Sequence, residues 1–97
     1  MSKKIRTTAV DHLFEAVLQL KDKEECYRFF EDVCTVNEIL SLSQRFEVAK
    51  MLTQNKTYLE IAEQTGASTA TISRVNRSLN YGNDGYQMVF NRMEENQ

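Results

Sequence analysis

Apolar residues recur with helical spacing in four stretches of this chain. The stretches are residues 10–18, 26–34, 39–52 and 86–93, in which apolar side chains return every three or four positions. Residues with that spacing lie on one face of an α-helix, so each stretch predicts an amphipathic helix. Because the sequence contains no proline to interrupt these helices, the pattern favours an all-α protein.

The expected helix starts carry side chains that can accept hydrogen bonds from unpaired N–H groups. Two Thr-x-x-Glu sequences fit a capping box, and an Asp-x-x-Glu sequence is a looser version of it. They are Thr35-x-x-Glu38, Thr57-x-x-Glu60 and Asp22-x-x-Glu25. The stretch NYGNDG, residues 80–85, suits a turn before the last helix.

Residues 57–80 predict two short helices joined by a tight turn. Helix-turn-helix units cross two helices steeply, which requires a small residue at the crossing and a turn residue that accepts positive φ. Ala62 and Gly66 meet these needs, and Ser68 can cap the second helix. The residues predicted to point inward and hold the helices together are Ile61, Ile72 and Val75. A helical hairpin with an ordinary glycine cap is the alternative.

The opposite face of the second helix is small and polar at its start and cationic further on. Short side chains can approach base edges in a major groove closely, and arginines can reach guanine or phosphates. The predicted DNA-binding residues are Ser68, Thr69, Ala70, Thr71, Ser73, Arg74 and Arg77. We expect base contacts from Thr69, Ala70 and Ser73. Arg77 suits the phosphate backbone better.

The distribution of charge supports this prediction only weakly. Residues 11–38 hold eight acids and three bases, whereas residues 39–80 hold five bases and three acids. The predicted helix-turn-helix therefore lies in a mildly basic part of a chain whose net charge is −2. Because that basicity is slight, a second function stays open, namely a helical homodimer that binds a partner protein and keeps the helix-turn-helix as a scaffold.

Catalytic and redox chemistry find little support in the sequence. His12 is the single histidine, and neither metal-ligand spacing nor paired-carboxylate motifs are present. Cys26 and Cys34 are eight residues apart, about 12 Å along one helix and too far for a disulfide. We predict no enzyme activity, metal or cofactor, and two cysteines buried in a reducing compartment. With no signal peptide or membrane-length apolar run, the expected location is the cytoplasm, without a membrane partner.

Two runs of the sequence resemble the Trp repressor superfamily, most closely its Trp-repressor-like YerC/YecD branch. GASTATISRVNRSL resembles the recognition helix of that family, and SQRFEVAKML resembles the long helix before its helix-turn-helix; the resemblance covers about residues 30–95. It implies one domain over residues 1–97, with about six helices and an intertwined homodimer. Dimerisation helices are then expected at about 8–53 and 84–95, and the helix-turn-helix at about 57–80. The implied function is that of a sequence-specific DNA-binding transcriptional regulator, a repressor, on a near-palindromic operator.

In that family a tryptophan corepressor fills a pocket beside the recognition helix. The matching positions, a possible effector pocket here, are Thr35, Arg45, Arg74 and Ser78. Val75 stands where the family has a glycine whose backbone lies against the indole ring. Overfilling a packed site costs about 1–3 kcal/mol, so tryptophan is not the effector that we expect.

Two positions on the first helix of the predicted helix-turn-helix also differ from the family. Leu59 and Ala62 stand where Trp repressor has cations on the first helix of the motif. Fewer cations neutralise fewer phosphates, which predicts a shallow salt dependence of DNA binding. The basic N-terminal residues Lys3, Lys4 and Arg6 are expected to compensate if they reach the duplex.

Overall fold

The computed structural model describes residues 4–96 and contains six α-helices there, with no strand. The helices are α1 (Thr8–Val17), α2 (Lys23–Val33), α3 (Val36–Thr53), α4 (Tyr58–Thr65), α5 (Thr69–Tyr81) and α6 (Gly85–Glu95). The all-α prediction with six helices is confirmed. In this part of the chain, no helix is both long and apolar enough to cross a membrane. Of the basic N-terminal residues, Lys3 lies outside the described range, and Lys4 and Arg6 are exposed.

Side-chain caps fix two of the helix starts that the sequence predicts. The Asp22 side chain accepts a hydrogen bond of 2.9 Å from the Glu25 N–H at the start of α2. At the start of α4 the capping box is complete: Thr57 Oγ1 accepts from the Glu60 N–H at 3.2 Å, and Glu60 Oε1 accepts from the Thr57 N–H at 3.0 Å. The third predicted cap, Thr35, directly precedes α3.

The chain divides into two compact units, Met1–Val36 and Asn37–Gln97. The first unit contains α1 and α2, and within the described residues neither helix has a buried side chain. Its large apolar side chains that remain exposed are Ile5, Leu13, Phe14, Leu18, Tyr27, Val33 and Val36. The two cysteines are free, and the expectation that both are buried is wrong: Cys26 is exposed and Cys34 half-buried, because nothing on the α2 face that carries Cys26 is buried.

The second unit contains the hydrophobic core of the described chain. The buried residues are Val48 and Ala49 of α3, Ile61 of α4, Ala67 of the turn, and Ile72 and Val75 of α5. From α6, Tyr86 and Phe90 pack against this cluster, and the Phe90 ring lies 5.2 Å from that of Phe46 in α3. Burial of an aliphatic side chain contributes about 1.5–3 kcal/mol, so this cluster holds α4 and α5 against α3.

Candidate nucleic-acid interface

The turn between α4 and α5 is built on a residue with left-handed backbone geometry. Gly66 has φ +73° and donates its N–H to the Ala62 carbonyl oxygen at 2.9 Å, which ends α4. A Cβ on Gly66 would meet no atom within 4 Å, so the positive φ alone favours glycine here. The predicted hinge is confirmed.

Hydrogen bonds from Thr65 and Gln44 brace this turn. Thr65 Oγ1 donates to the Ile61 carbonyl oxygen at 2.7 Å and accepts from the Ala67 N–H at 3.1 Å. From α3, Gln44 Nε2 donates to the Thr65 carbonyl oxygen at 3.1 Å. No local sequence pattern predicts this brace, because Gln44 and Thr65 are 21 positions apart.

The orientation of α5 follows from its cap and its buried side. Ser68 Oγ accepts a hydrogen bond of 3.1 Å from the Thr71 N–H, which confirms the predicted N-cap. Ile72 and Val75 are 0% and 1% exposed, so with Ile61 they point inward as expected. The opposite side of α5 must therefore face away from the core.

The predicted DNA-binding residues lie on this outward side or near it. Those that are exposed are Ser68, Thr69, Ala70, Arg74 and Arg77. Thr71 and Ser73 are half-buried, and the Thr71 hydroxyl accepts a hydrogen bond of 3.1 Å from Ser68 Oγ. Ser68 and Thr71 therefore serve the start of the helix. The side chains that stay exposed without this role are Thr69, Ala70, Arg74 and Arg77.

The electrostatics of the two motif helices differ. The sequence of α5 contains two arginines and no acid, so its exposed face is cationic. In α4, the Thr57 backbone N–H, followed by its hydroxyl, lowers the pKa of the Glu60 carboxyl below its usual value, and nearby Lys56 acts in the same direction. The negative charge of Glu60 thus lies at the N-terminus of α4, where the helix dipole favours it.

The four predicted effector-pocket residues are placed as follows. Ser78 Oγ donates to the Arg74 carbonyl oxygen at 3.3 Å, so these two residues meet on α5. Arg45 is half-buried and its Nη1 donates to Ser41 Oγ at 3.0 Å. Thr35 is exposed and belongs to the first unit.

A shallow groove of about 480 Å³ lies beside the C-terminal end of α5. Its lining residues are Phe46, Ser78, Gly82, Asn83, Gly85, Tyr86 and Val89. Gly82 donates its N–H to the Ser78 carbonyl oxygen at 3.0 Å, and a Cβ on Gly82 would collide with that oxygen. The sequence pattern predicts only a turn around Gly82, and the close approach that requires a glycine is visible in the structure alone.

Comparison with known proteins supports the resemblance seen in the sequence. The family model described as Trp repressor protein matches residues 8–94. The uncharacterised protein YerC of Bacillus subtilis is 61% identical over 92 residues, which cover 95% of this chain and 88% of YerC.

Two solved structures share the fold. A TrpR-like protein from Eubacterium eligens is 73% identical, with a TM-score of 0.91 and 93% of each chain covered. A candidate Trp repressor from Staphylococcus aureus is 58% identical, with a TM-score of 0.91 and 96% of each chain covered. The chain described here therefore belongs to the Trp repressor family.

Proposed function

We propose that this protein is a sequence-specific DNA-binding transcriptional regulator, a repressor, that acts as a homodimer on a near-palindromic operator. The observation that carries the proposal is the exposed face of α5, which is small and polar at its capped start and cationic further on. The opposite face is anchored in the core by Ile72 and Val75. The Gly66 bend separates α5 from α4, as recognition by a helix-turn-helix requires.

The side chains of α5 that we assign to DNA differ in length. Thr69, Ala70 and Ser73 are short enough to approach base edges closely, so we assign them to base contacts. Ser68 and Arg74 lie at the edge of that surface. Arg77, two turns beyond Thr69, suits a phosphate, which positions the helix without reading sequence.

Exposed apolar faces support the homodimer. The first unit exposes Phe14 of α1, Leu18 directly after α1 and Tyr27 of α2, and α6 in the second unit exposes Met88 and Met93. Such faces mark surfaces that pack on another chain, and the family supplies the expected partner, a second copy. A twofold axis would then present two α5 helices to major grooves about 34 Å apart.

The first helix of the helix-turn-helix, α4, supports modest rather than strong attraction to DNA. Leu59 is 70% exposed on α4 where a cation would neutralise a phosphate, and Ala62 packs against the core. We propose that Lys4 and Arg6 supply part of the missing positive charge. The slight basicity is also what favours the alternative function, a homodimer that binds a partner protein through a retained helix-turn-helix fold.

Selection of bound duplexes from a random DNA pool tests the proposal. Recovery of a symmetric motif is the expected result, and Thr69→Ala and Arg74→Ala should weaken binding to it while the protein stays dimeric by light scattering. Arg92→Ala, an exposed arginine of α6, is the matched control and should bind as the wild type does. Failure to recover any motif at low salt, where phosphate contacts are strongest, would favour the protein-interaction function instead.

The effector question has a separate test. The side chain of Val75 is packed in the core, and we propose that it takes space that tryptophan would need. Tryptophan should therefore leave the melting temperature unchanged, because only a ligand that binds the native state raises it. Thr35, Arg45, Arg74 and Ser78 stay the positions to substitute if another small molecule raises it. We propose no catalytic role and no cofactor, and action on DNA in the cytoplasm.

A further inference from the structure

Ala70 lies at the point of α5 that faces most directly away from the core. At 3.6 residues per turn, each position rotates the helix by about 100°, so Ile72 and Val75 point about 160° and about 140° away from Ala70, on either side. These two are the buried residues of α5, whereas Ala70 is exposed. The direction opposite the anchors of α5 is therefore occupied by a methyl group.

The hydroxyl groups beside Ala70 serve the helix start or point to the side. Ser68 Oγ accepts a hydrogen bond from the Thr71 N–H and donates one to Thr71 Oγ1, both at 3.1 Å. Thr71 is half-buried, and Thr69 points about 100° away from Ala70. Within residues 69–72, the first turn of α5, no hydrogen-bonding side chain points in the direction of Ala70. A surface that approaches this turn from outside therefore meets a methyl group at its centre.

The position of Ala70 in the helix suits contact with a base. Recognition helices of helix-turn-helix proteins contact base edges with their N-terminal residues, and Ala70 is the second residue of α5. Its side chain ends at Cβ, so the contact requires the helix backbone to approach the base closely. The exposed residues just before it, Gly66, Ser68 and Thr69, are all small. No long side chain before Ala70 in this turn therefore holds a duplex away.

The Ala70 methyl group can distinguish the bases in the major groove in only one way. Every base pair presents hydrogen-bond donors or acceptors there, and of the four standard bases only thymine adds an apolar group, its C5-methyl. Contact between the two methyl groups buries apolar surface, which is favourable. Contact with a donor or acceptor would take water from a polar group without replacing its hydrogen bond, which is unfavourable. The chemistry of Ala70 thus favours thymine.

We propose that Ala70 determines a preference for thymine in the operator, through contact of its methyl group with the C5-methyl of one thymine in each half-site. This inference rests on the proposed DNA-binding function and adds to it the base that the start of α5 reads. The contact is apolar rather than hydrogen-bonded, so removal of either methyl group should abolish the preference.

The test combines variants of the protein with variants of the DNA. Each thymine of the symmetric motif recovered by selection is replaced in turn by deoxyuridine, which keeps every hydrogen-bonding group and lacks only the methyl. At one position in each half-site, wild type should bind the uracil duplex about fourfold more weakly, as expected for one lost methyl contact and measured by fluorescence anisotropy.

Ala70→Gly removes the methyl group from the protein and should bind the thymine and uracil duplexes equally well. Because each protein is compared with itself on two duplexes, any loss of helix stability in this variant cancels. Ala9→Gly is the matched control, since Ala9 is likewise an exposed second residue of its helix, α1, and lies outside the helix-turn-helix. This control should keep the fourfold difference.

Three other results would overturn the inference. If wild type selects a symmetric motif and no uracil substitution weakens binding, no thymine methyl is read, while the proposed function stands. If Ala70→Gly keeps the fourfold difference, another group contacts the thymine and the assignment to Ala70 is wrong. If wild type selects no motif even at low salt, where phosphate contacts are strongest, the proposed function fails, and this inference fails with it.

Discussion

The helix-turn-helix and the first two helices bury their apolar faces to different degrees. In both regions capped, amphipathic helices follow closely from the local sequence. In the helix-turn-helix, the apolar faces of α4 and α5 are buried against α3 in one core. In the unit that contains α1 and α2, no described helical residue is buried, and Leu18 stays 80% exposed.

Under the proposed homodimer, this difference separates what a single chain can complete from what needs a second copy. Most helical stability in proteins comes from packing of the apolar face rather than from intrinsic propensity. Within one chain, α4 and α5 gain that stabilisation from fully buried side chains, whereas the described side chains of α1 and α2 are half-buried at most. The proposed homodimer would supply the missing contact, so substitutions in the two regions should respond differently to protein concentration.

The largest effect is expected in the core of the helix-turn-helix. Ile72→Ala removes a fully buried side chain shared by α4 and α5 and should lower the free energy of unfolding by about 2–5 kcal/mol. Chemical denaturation followed by circular dichroism measures this loss. Leu59→Ala, on the exposed side of α4, is the control and should change it by less than about 0.5 kcal/mol. Equal losses in both variants would show that the core assignment is wrong.

The second-largest effect is expected in the first unit, where Leu18 is exposed. Leu18→Ala should cost nothing if α1 faces solvent in solution, but roughly 1.5–3 kcal/mol per chain if a second copy covers it. We expect the second result, together with a midpoint of unfolding that rises with protein concentration. Gln19 is the exposed neighbour of Leu18, and Gln19→Ala should change neither the free energy of unfolding nor the concentration dependence of the midpoint. A neutral Leu18→Ala in a protein that sediments as one chain would refute the homodimer.

The same contrast explains how much could be predicted from the sequence. The caps at Asp22, Thr57 and Ser68 and the hinge at Gly66 depend on residues within four positions of each other, and all four are confirmed. The burial of the cysteines was predicted wrongly, because burial depends on what covers a helix face and a helical pattern does not reveal it.

Longer-range contacts within the candidate site were equally hidden from sequence reasoning. The brace from Gln44 to Thr65 joins residues 21 positions apart. The close approach of Gly82 to the Ser78 carbonyl depends on how α5 ends rather than on any residue type at that spacing. The roles of the α5 side chains on DNA stay a prediction, since they depend on a molecule outside this chain.

An intermediate effect is expected at the hinge itself. Gly66→Ala places a Cβ in open space, so the cost comes from the positive φ alone, about 1–2 kcal/mol. Gly85→Ala is the matched control, since its Cβ also meets open space but its φ is not positive and it begins a helix. It should be neutral or slightly stabilising. Thermal unfolding of both variants measures the difference, and equal melting temperatures would show that Gly66 is not held in the left-handed conformation.

The smallest effect is a pH dependence in the cap of α4. Because hydrogen bonds from Thr57 lower the pKa of the folded Glu60 carboxyl, the ionised form stabilises the fold. That contribution is fully present above the unfolded pKa, near 4.5, and is lost as the pH falls through the lower folded value. Glu60→Gln keeps a capping amide without the charge, so its deficit relative to wild type should shrink as the pH falls from about 7 to about 3. Melting temperatures across that range measure the deficit, with Glu63→Gln, outside the capping box, as the control for lost charge. A deficit that does not change with pH would mean that the charge of Glu60 contributes nothing to the helix start.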